Sequence, residues 1–238
     1  MAIHFFSYGD EKYKNSKFRI KQEAMNMGFD VINVYGKEDI EQEFLERTHP
    51  HISHPRGSGY WLWKAFFLKK TLEKMSESDF CIYADAGCHL NIHGKSRLEE
   101  YLNMVSSHSS GFLGFELVGF KEKMYTNSKC LEYFGYRDES SITDSSILVG
   151  GILILRKNDI TIKIIDEFYK IAIDWPDLFS DIHNNYNPLP EFIDHRHDQS
   201  ILSMLRKKYG YIGIPDETYS ENWSELMHVP ILATRIRN

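Results

Sequence analysis

The chain contains no run of about 20 apolar residues, which excludes a helix long enough to span a bilayer. It also lacks an excess of basic residues. Lys and Arg number 28 against 34 Asp and Glu, a net charge of -6, and the basic residues are scattered. That excludes the clustered positive surface on which nucleic-acid binding depends. Only three cysteines are present, Cys81, Cys88 and Cys130. They cannot all pair with one another, and two of them lie in or beside an apolar stretch. This usage fits a reduced, intracellular protein, so a cytoplasmic location is expected. Met1 to Phe6 enters strand-like sequence directly, without the charged and apolar regions of a signal peptide. With no low-complexity linker and no internal repeat, the 238 residues read as one globular domain, 1–238.

What is present is an alternation of strand and helix patterns. Ile3 to Ser7 reads as a strand, Asn15 to Met27 as a helix and Val31 to Tyr35 as a second strand, a βαβ opening. Ser7 and Tyr8 stand at the carboxyl end of the first strand, where a nucleotide lies in a Rossmann-like sheet. The glycine fingerprint of a dinucleotide site is missing there, so NAD is not expected. A polar loop leads through Arg56-Gly57-Ser58-Gly59 into an apolar helix expected from Tyr60 to about Met75. Strands follow at Phe80 to Ala84 and Gly111 to Leu117. The run Ile147 to Leu155 reads as one strand covered on both faces, interrupted by Gly150 and Gly151. A helix then carries Ile164, Ile165, Phe168 and Ile171 on one side. Asp174 to Pro190 reads as a loop, Asp198 to Lys208 as a helix stopped by Gly210, and Pro230 to Thr234 as a final strand.

The segment Asp79 to Gly87 is the most informative. An apolar strand runs straight into Asp85 and then a glycine, and an acid at the carboxyl end of a buried strand stands at the crevice where open α/β sheets bind ligands. Aspartate before glycine also starts turns well. The amides before Tyr60, with Arg56 and Lys64, suit an anion, and Ser58 suits a helix cap. Trp61 and Trp63 cannot face the same way on a helix, so one lines a pocket and the other packs in the core. Glycines at 150 and 151 leave room for a ligand or mark a bulge. Asp198 is placed either to cap its helix or to act as a base.

Four segments, taken in order, resemble glycosyltransferases of the type-A, nucleotide-diphospho-sugar-binding fold, in particular small enzymes of bacterial polysaccharide clusters and large algal viruses. They are Arg56-Gly57-Ser58-Gly59-Tyr60-Trp61-Leu62-Trp63-Lys64, Tyr83-Ala84-Asp85-Ala86-Gly87-Cys88, Val149-Gly150-Gly151-Ile152 with Arg156-Lys157-Asn158, and His197-Asp198-Gln199-Ser200. The resemblance covers most of the chain and rests on the order of the motifs.

It implies an α/β fold: a single Rossmann-like domain with a mixed, mostly parallel central sheet flanked by helices. The nucleotide-binding half would cover about 1–115 and the acceptor-binding half about 116–238. It further implies transfer of a sugar from a nucleotide-diphosphate donor, most often UDP-linked, to a hydroxyl of a glycan acceptor. Asp198 would be the catalytic base. Donor contacts would come from Ser7, Tyr8, Arg56, Tyr60, Trp61, Lys64, Asp85, Ala86, Gly87, Gly150 and Gly151, and acceptor contacts from His197 and Gln199. Asp85 resembles the first acid of an Asp-X-Asp metal motif whose second acid is replaced by Gly87. One carboxylate with diphosphate oxygens still suits Mn²⁺ or Mg²⁺, with His228 as a further ligand; alternatively, Arg235 and Arg237 neutralise phosphate. Surface helices would allow peripheral contact with a membrane carrying a lipid-linked acceptor.

Two other functions fit parts of the sequence. A sugar nucleotidyltransferase shares the sheet and the diphosphate chemistry, but its glycine-rich basic signature after the first strand is absent. A carbohydrate-binding protein would use the aromatics, 14% of the chain, and would need neither Asp85 nor Asp198. His49, His51 and His54 have the density of a zinc site but no cysteine nearby.

Overall fold

The computed structural model describes residues 1–236; Arg237 lies outside them. The strands are β1 (Ile3–Tyr8), β2 (Val31–Tyr35), β3 (Phe80–Ala84), β4 (His89–Leu90), β5 (Phe112–Lys121), β6 (Ser146–Leu148), β7 (Ile152–Arg156), β8 (Ile212–Pro215) and β9 (Ile231–Leu232). Seven form a central sheet in the order β2-β1-β3-β7-β5-β6, with β8 also paired to β5. Pairing directions place β1, β2, β3, β5 and β8 one way and β6 and β7 the other. The sheet is therefore mixed and mostly parallel, with helices on both faces, as expected.

Each face buries its own apolar cluster. On one side Phe6, Tyr83 and Leu153 pack against helices Leu62–Lys74, Asp159–Asp174 and Asp198–Tyr209. On the other Phe5, Ile82 and Ile154 meet helices Lys14–Met27 and Lys95–Ser107. Both clusters draw on residues from each end of the chain, and the expected division near residue 115 falls inside β5. The helix ends follow local rules. Gly28 at φ 81° closes the first helix, because only a residue free of Cβ strain turns left-handed cheaply. Asn158 accepts bonds from the Ile160 and Thr161 amides to open Asp159–Asp174, and that helix buries the expected Ile164, Ile165, Phe168 and Ile171.

Two expectations are corrected. The run Ile147 to Leu155 is two strands, β6 and β7, both antiparallel to β5 on the edge opposite β8, with a break and a register shift at Val149-Gly150-Gly151. Apolarity does not fall at the break because both pieces are buried. The helix expected from Tyr60 begins at Leu62, preceded by a left-handed turn in which Gly57, Ser58, Gly59, Tyr60 and Trp61 all have positive φ. The expected final strand is present as β9 and pairs with β4 in a separate two-stranded sheet.

Candidate active site

At the carboxyl end of β3, two acids from distant parts of the chain converge on one cation. Asp85 leaves the strand into a turn closed by Cys88 N donating to the Asp85 carbonyl at 2.8 Å. The turn is held from behind by Arg19, whose guanidinium donates to the carbonyls of Ala86 at 3.0 Å and Cys88 at 2.8 Å. Asp198 opens helix Asp198–Tyr209. Its carboxylate accepts a hydrogen bond from Lys64 Nζ, and the same Nζ lies 3.8 Å from Asp85 Oδ1. Lys64 also donates to the Gly150 carbonyl at 2.9 Å, and Tyr83 Oη donates to Asp85. The cap residue of the helix is His197, and Asp198, the first residue of the helix, lines the cleft.

The glycines between β6 and β7 make this convergence possible. A Cβ on Gly151 would stand 2.7 Å from Asp85 Oδ2, and one on Gly150 would stand 2.7 Å from Gln199 Cβ. The space they leave is thus taken by protein side chains at the site. The carbonyls of Val149, Gly150 and Gly151 are each fixed by a donor: Arg206 donates to Val149 O at 2.9 Å, Lys64 to Gly150 O, and Asp85 N to Gly151 O at 2.9 Å.

These groups line a cleft of about 180 Å³. Nine of the residues expected from the sequence share it: Arg56, Trp61, Lys64, Asp85, Gly150, Gly151, His197, Asp198 and Gln199. The others stand apart from its lining. Ser7 is buried and donates to Ala84 O at 2.7 Å. Tyr8 stacks on Trp63 with ring centroids 3.9 Å apart, and Tyr60 stacks on His54 at 4.2 Å. Ala86 and Gly87 form the turn behind Asp85; Gly87 O accepts from Ile236 N at 2.9 Å and Thr234 Oγ1 at 2.8 Å. His228 is exposed and lies outside the cleft lining. Trp61 is the tryptophan in the cleft and Trp63 the one in the core. Ser58 caps no helix; its hydroxyl meets Tyr8 Oη at 3.3 Å.

Sequence reasoning did not bring in Tyr83, Asp181, Asp194 or Arg196. Asp194 and Arg196 line the cleft, and Arg56 bridges Asp181 at 2.9 Å and Asp194 at 3.2 Å, tying the segment before the last long helix across the opening. The density of polar residues from Asp194 to Asp198 was the available signal. His195 also lines the cleft and is fully buried. Its Nε2 lies 2.8 Å from Leu178 O, so that nitrogen donates, and its Nδ1 accepts from Asn127 N at 3.3 Å. Burial lowers its pKa to about 3, so it stays neutral. The three histidines weighed as a zinc site go separate ways: His51 bonds Asp177 at 2.6 Å and His54 bonds Tyr60 Oη at 3.2 Å.

Burial raises the Asp198 carboxyl to about 6, against the opposing pull of Lys64. Cations and anions in the cleft lining are matched: Arg56, Lys64 and Arg196 against Asp85, Asp194 and Asp198. The cleft therefore offers no surplus positive charge to a diphosphate. Among the described residues no group of three or more His, Cys, Asp or Glu side chains is placed to hold a metal ion. The Asp85 side chain is 46% exposed, and a single open carboxylate suits a hard divalent cation that takes its other oxygens from phosphate and water.

No protein-family model matches the sequence, and no curated protein matches it. A solved structure described as a glycosyltransferase involved in the glycosylation of the major capsid of PBCV-1 superimposes with a TM-score of 0.54. It is 11% identical, over 98% of this chain and 94% of that one. The chain has the type-A glycosyltransferase fold. Apo mouse xyloside xylosyltransferase 1 aligns over 98% of this chain and 97% of its own at 11% identity and TM-score 0.46. The galactosyltransferase LgtC aligns over 88% and 72% at 12% identity and TM-score 0.42. The fold assignment rests on the first. Within this type-A fold the cleft occupies the carboxyl end of β3, where open α/β sheets place their ligands. No helix among the described residues is long and apolar enough to cross a membrane.

Proposed function

We propose that the protein transfers a sugar from a nucleotide-diphosphate donor, UDP-linked, to a hydroxyl of a glycan acceptor. The observation that carries this reading is the meeting of Asp85 and Asp198 at Lys64 inside one cleft. A pair of acids so placed has two tasks. Asp85, open to solvent, faces the diphosphate; Asp198, buried and raised to about 6, accepts a proton near neutral pH, where a general base works best.

In this scheme the acceptor hydroxyl gives its proton to Asp198 as its oxygen bonds the anomeric carbon. The bond from that carbon to the diphosphate oxygen breaks, and the electron pair leaves with the nucleoside diphosphate. Lys64 holds Asp198 in place and keeps a positive charge beside the reacting groups. Mn²⁺ or Mg²⁺ on Asp85, with His228 as the second proposed ligand, would supply charge to the leaving diphosphate when bound. The cleft is smaller than the ~300–1,000 Å³ of typical ligand pockets. It fits one monosaccharide-sized group, with the nucleotide lying outside it towards Ser7, Tyr8 and the turn at Ala86 and Gly87. His197 and Gln199 face the acceptor side, and the site sits at the join of the proposed nucleotide-binding and acceptor-binding halves.

The test is a panel of UDP-sugars, with and without Mn²⁺, read by thermal stabilisation and by release of UDP. Wild type should be stabilised and should release UDP. Asp85→Asn should lose metal-dependent binding, and Asp198→Asn should bind donor without turnover. Full transfer by both variants would remove the basis of the proposal.

A further inference from the structure

The His197 ring is held in one orientation and leaves one nitrogen without a partner. Its Nδ1 lies 2.7 Å from the Phe179 carbonyl oxygen. A carbonyl only accepts, so Nδ1 carries the hydrogen and donates. The other nitrogen, Nε2, then presents a lone pair. It is buried and has no hydrogen-bond partner, while His197 as a whole is 3% exposed and lines the cleft. Asp181 Oδ1 stands 3.9 Å from it, beyond hydrogen-bond reach.

The ring has no freedom to turn this nitrogen elsewhere. It stacks on Trp61 with centroids 5.0 Å apart and 24° between planes, and Tyr60 lies on it at 5.5 Å. Rotating the ring by half a turn would break the bond to Phe179. The backbone reinforces the placement: His197 has φ 53° and ψ -122°, a conformation costly for any residue with a Cβ and retained where the surroundings fix it. Buried polar atoms in folded proteins nearly always find a partner. A bare lone pair on a residue that lines a cleft marks the place where a ligand supplies a hydrogen.

We infer that His197 Nε2 accepts a hydrogen bond from a hydroxyl of the sugar seated in this cleft, and so selects a hydroxylated sugar at that position. The inference rests on the glycosyl-transfer reading and deepens it. Phosphate and carboxylate oxygens are themselves acceptors, and would meet here a lone pair with the Asp181 carboxylate close by. The ligand chemistry at this point is an O–H group. It belongs to the donor sugar or to the acceptor sugar, and the experiment separates the two.

The full-length protein is compared with His197→Asn and His197→Gln. Asn tolerates positive φ and can still donate to Phe179 O, but has no atom at the Nε2 position; Gln reaches that position with an acceptor. In one arm, UDP-glucose, UDP-galactose and their monodeoxy-sugar analogues are titrated calorimetrically. In the other, methyl glucosides, methyl galactosides and their monodeoxy forms are titrated with UDP present. For wild type, loss of one particular hydroxyl should weaken binding about tenfold, as expected for a buried acceptor left unpaired. His197→Asn should bind the parent and that deoxy analogue equally, and His197→Gln should recover part of the difference. Coupling in the first arm assigns the hydroxyl to the donor, and coupling in the second to the acceptor.

Equal deoxy penalties in wild type and His197→Asn across both arms would overturn the inference while leaving the transferase reading intact. Failure of wild type to bind any UDP-sugar would overturn that reading and the inference together. Nitrogen-15 spectra of the free protein give an independent check. His197 should show a bare Nε2 and a protonated Nδ1, and the Nε2 resonance should move when sugar binds. A proton found on Nε2 in the free protein would also overturn it.

Discussion

Lys64 and Asp198 are hydrogen-bonded to each other and almost wholly buried: their side chains are 2% and 6% exposed. Removing one member of such a pair leaves the other as an uncompensated buried charge. Lys64→Met should therefore destabilise the protein by about 3–5 kcal/mol, read as a lower urea midpoint. Asp198→Asn keeps an acceptor for the lysine and should cost about 1–2 kcal/mol. Its larger effect should be on turnover, about 10²–10⁴-fold, with donor affinity little changed. Equal stability of Lys64→Met and wild type would show that the pair does not hold the site together.

Gly151 and Asp85 share one small volume. Adding a methyl at Gly151 places it 2.7 Å from Asp85 Oδ2, and the half-exposed carboxylate can swing away at little cost. Gly151→Ala should lose about 1 kcal/mol or less of stability yet sharply weaken Mn²⁺-dependent UDP binding. Gly150→Ala behaves differently, since its methyl would also stand 2.9 Å from Gln199 Cα, and backbone does not swing aside. About 1–3 kcal/mol should be lost there. Thermal melts with and without UDP and Mn²⁺ separate the two; unchanged UDP affinity in Gly151→Ala would remove Asp85 from the donor site.

Part of this arrangement is legible in the sequence and part is not. Asp85 stands out because an apolar run ends abruptly in an acid, and the βαβ opening is written in hydrophobic periodicity. The break between β6 and β7 is hidden because Ile147, Leu148, Ile152 and Leu153 are all buried; only the two glycines mark it. Tyr60 and Trp61 carry the apolar character of the helix that follows, and hydrophobic pattern does not encode the sign of φ. The pairing of Lys64 with Asp198 has no local signature at all, because it is made by packing helix Leu62–Lys74 beside helix Asp198–Tyr209 on one face of the sheet. His195 lies among charged residues and reads as loop, yet two backbone groups draw it inside.

The left-handed turn before Leu62 gives a sharp stability test. Gly59 has φ +99°, and a Cβ there would stand 2.5 Å from Ile52 O and 2.8 Å from Ile52 Cα. Both conformation and space oppose a side chain, so Gly59→Ala should cost about 3 kcal/mol or more. Ser58→Gly relieves the left-handed strain at φ 53° but gives up the bond to Tyr8, and should stay within about 1 kcal/mol of wild type. Because Arg56 and Trp61 flank this turn, Gly59→Ala should also weaken donor binding in whatever fraction remains folded. A melting temperature for Gly59→Ala matching that of Ser58→Gly would mean that the turn is not fixed as described.

His195 should give the fold a measurable acid sensitivity. Burial lowers its folded-state pKa from 6.5 to about 3, so between those values the unfolded chain takes up a proton that the folded protein refuses. Stability contributed by this group is complete above pH about 6.5 and is lost as pH falls towards 3. Between pH 7 and 4.5 the loss should reach about 2.5 kcal/mol. His195→Asn keeps an acceptor for the Asn127 amide, cannot titrate, and should lack this part of the slope while being less stable at pH 7. Subtracting the two urea-unfolding profiles cancels titrations common to both proteins, including carboxylates such as Asp79, whose burial is outweighed by bonds from the Ala2 and Ser76 amides and from His4. A difference that stays flat from pH 7 to pH 4.5 would mean that His195 takes up its proton inside the folded protein.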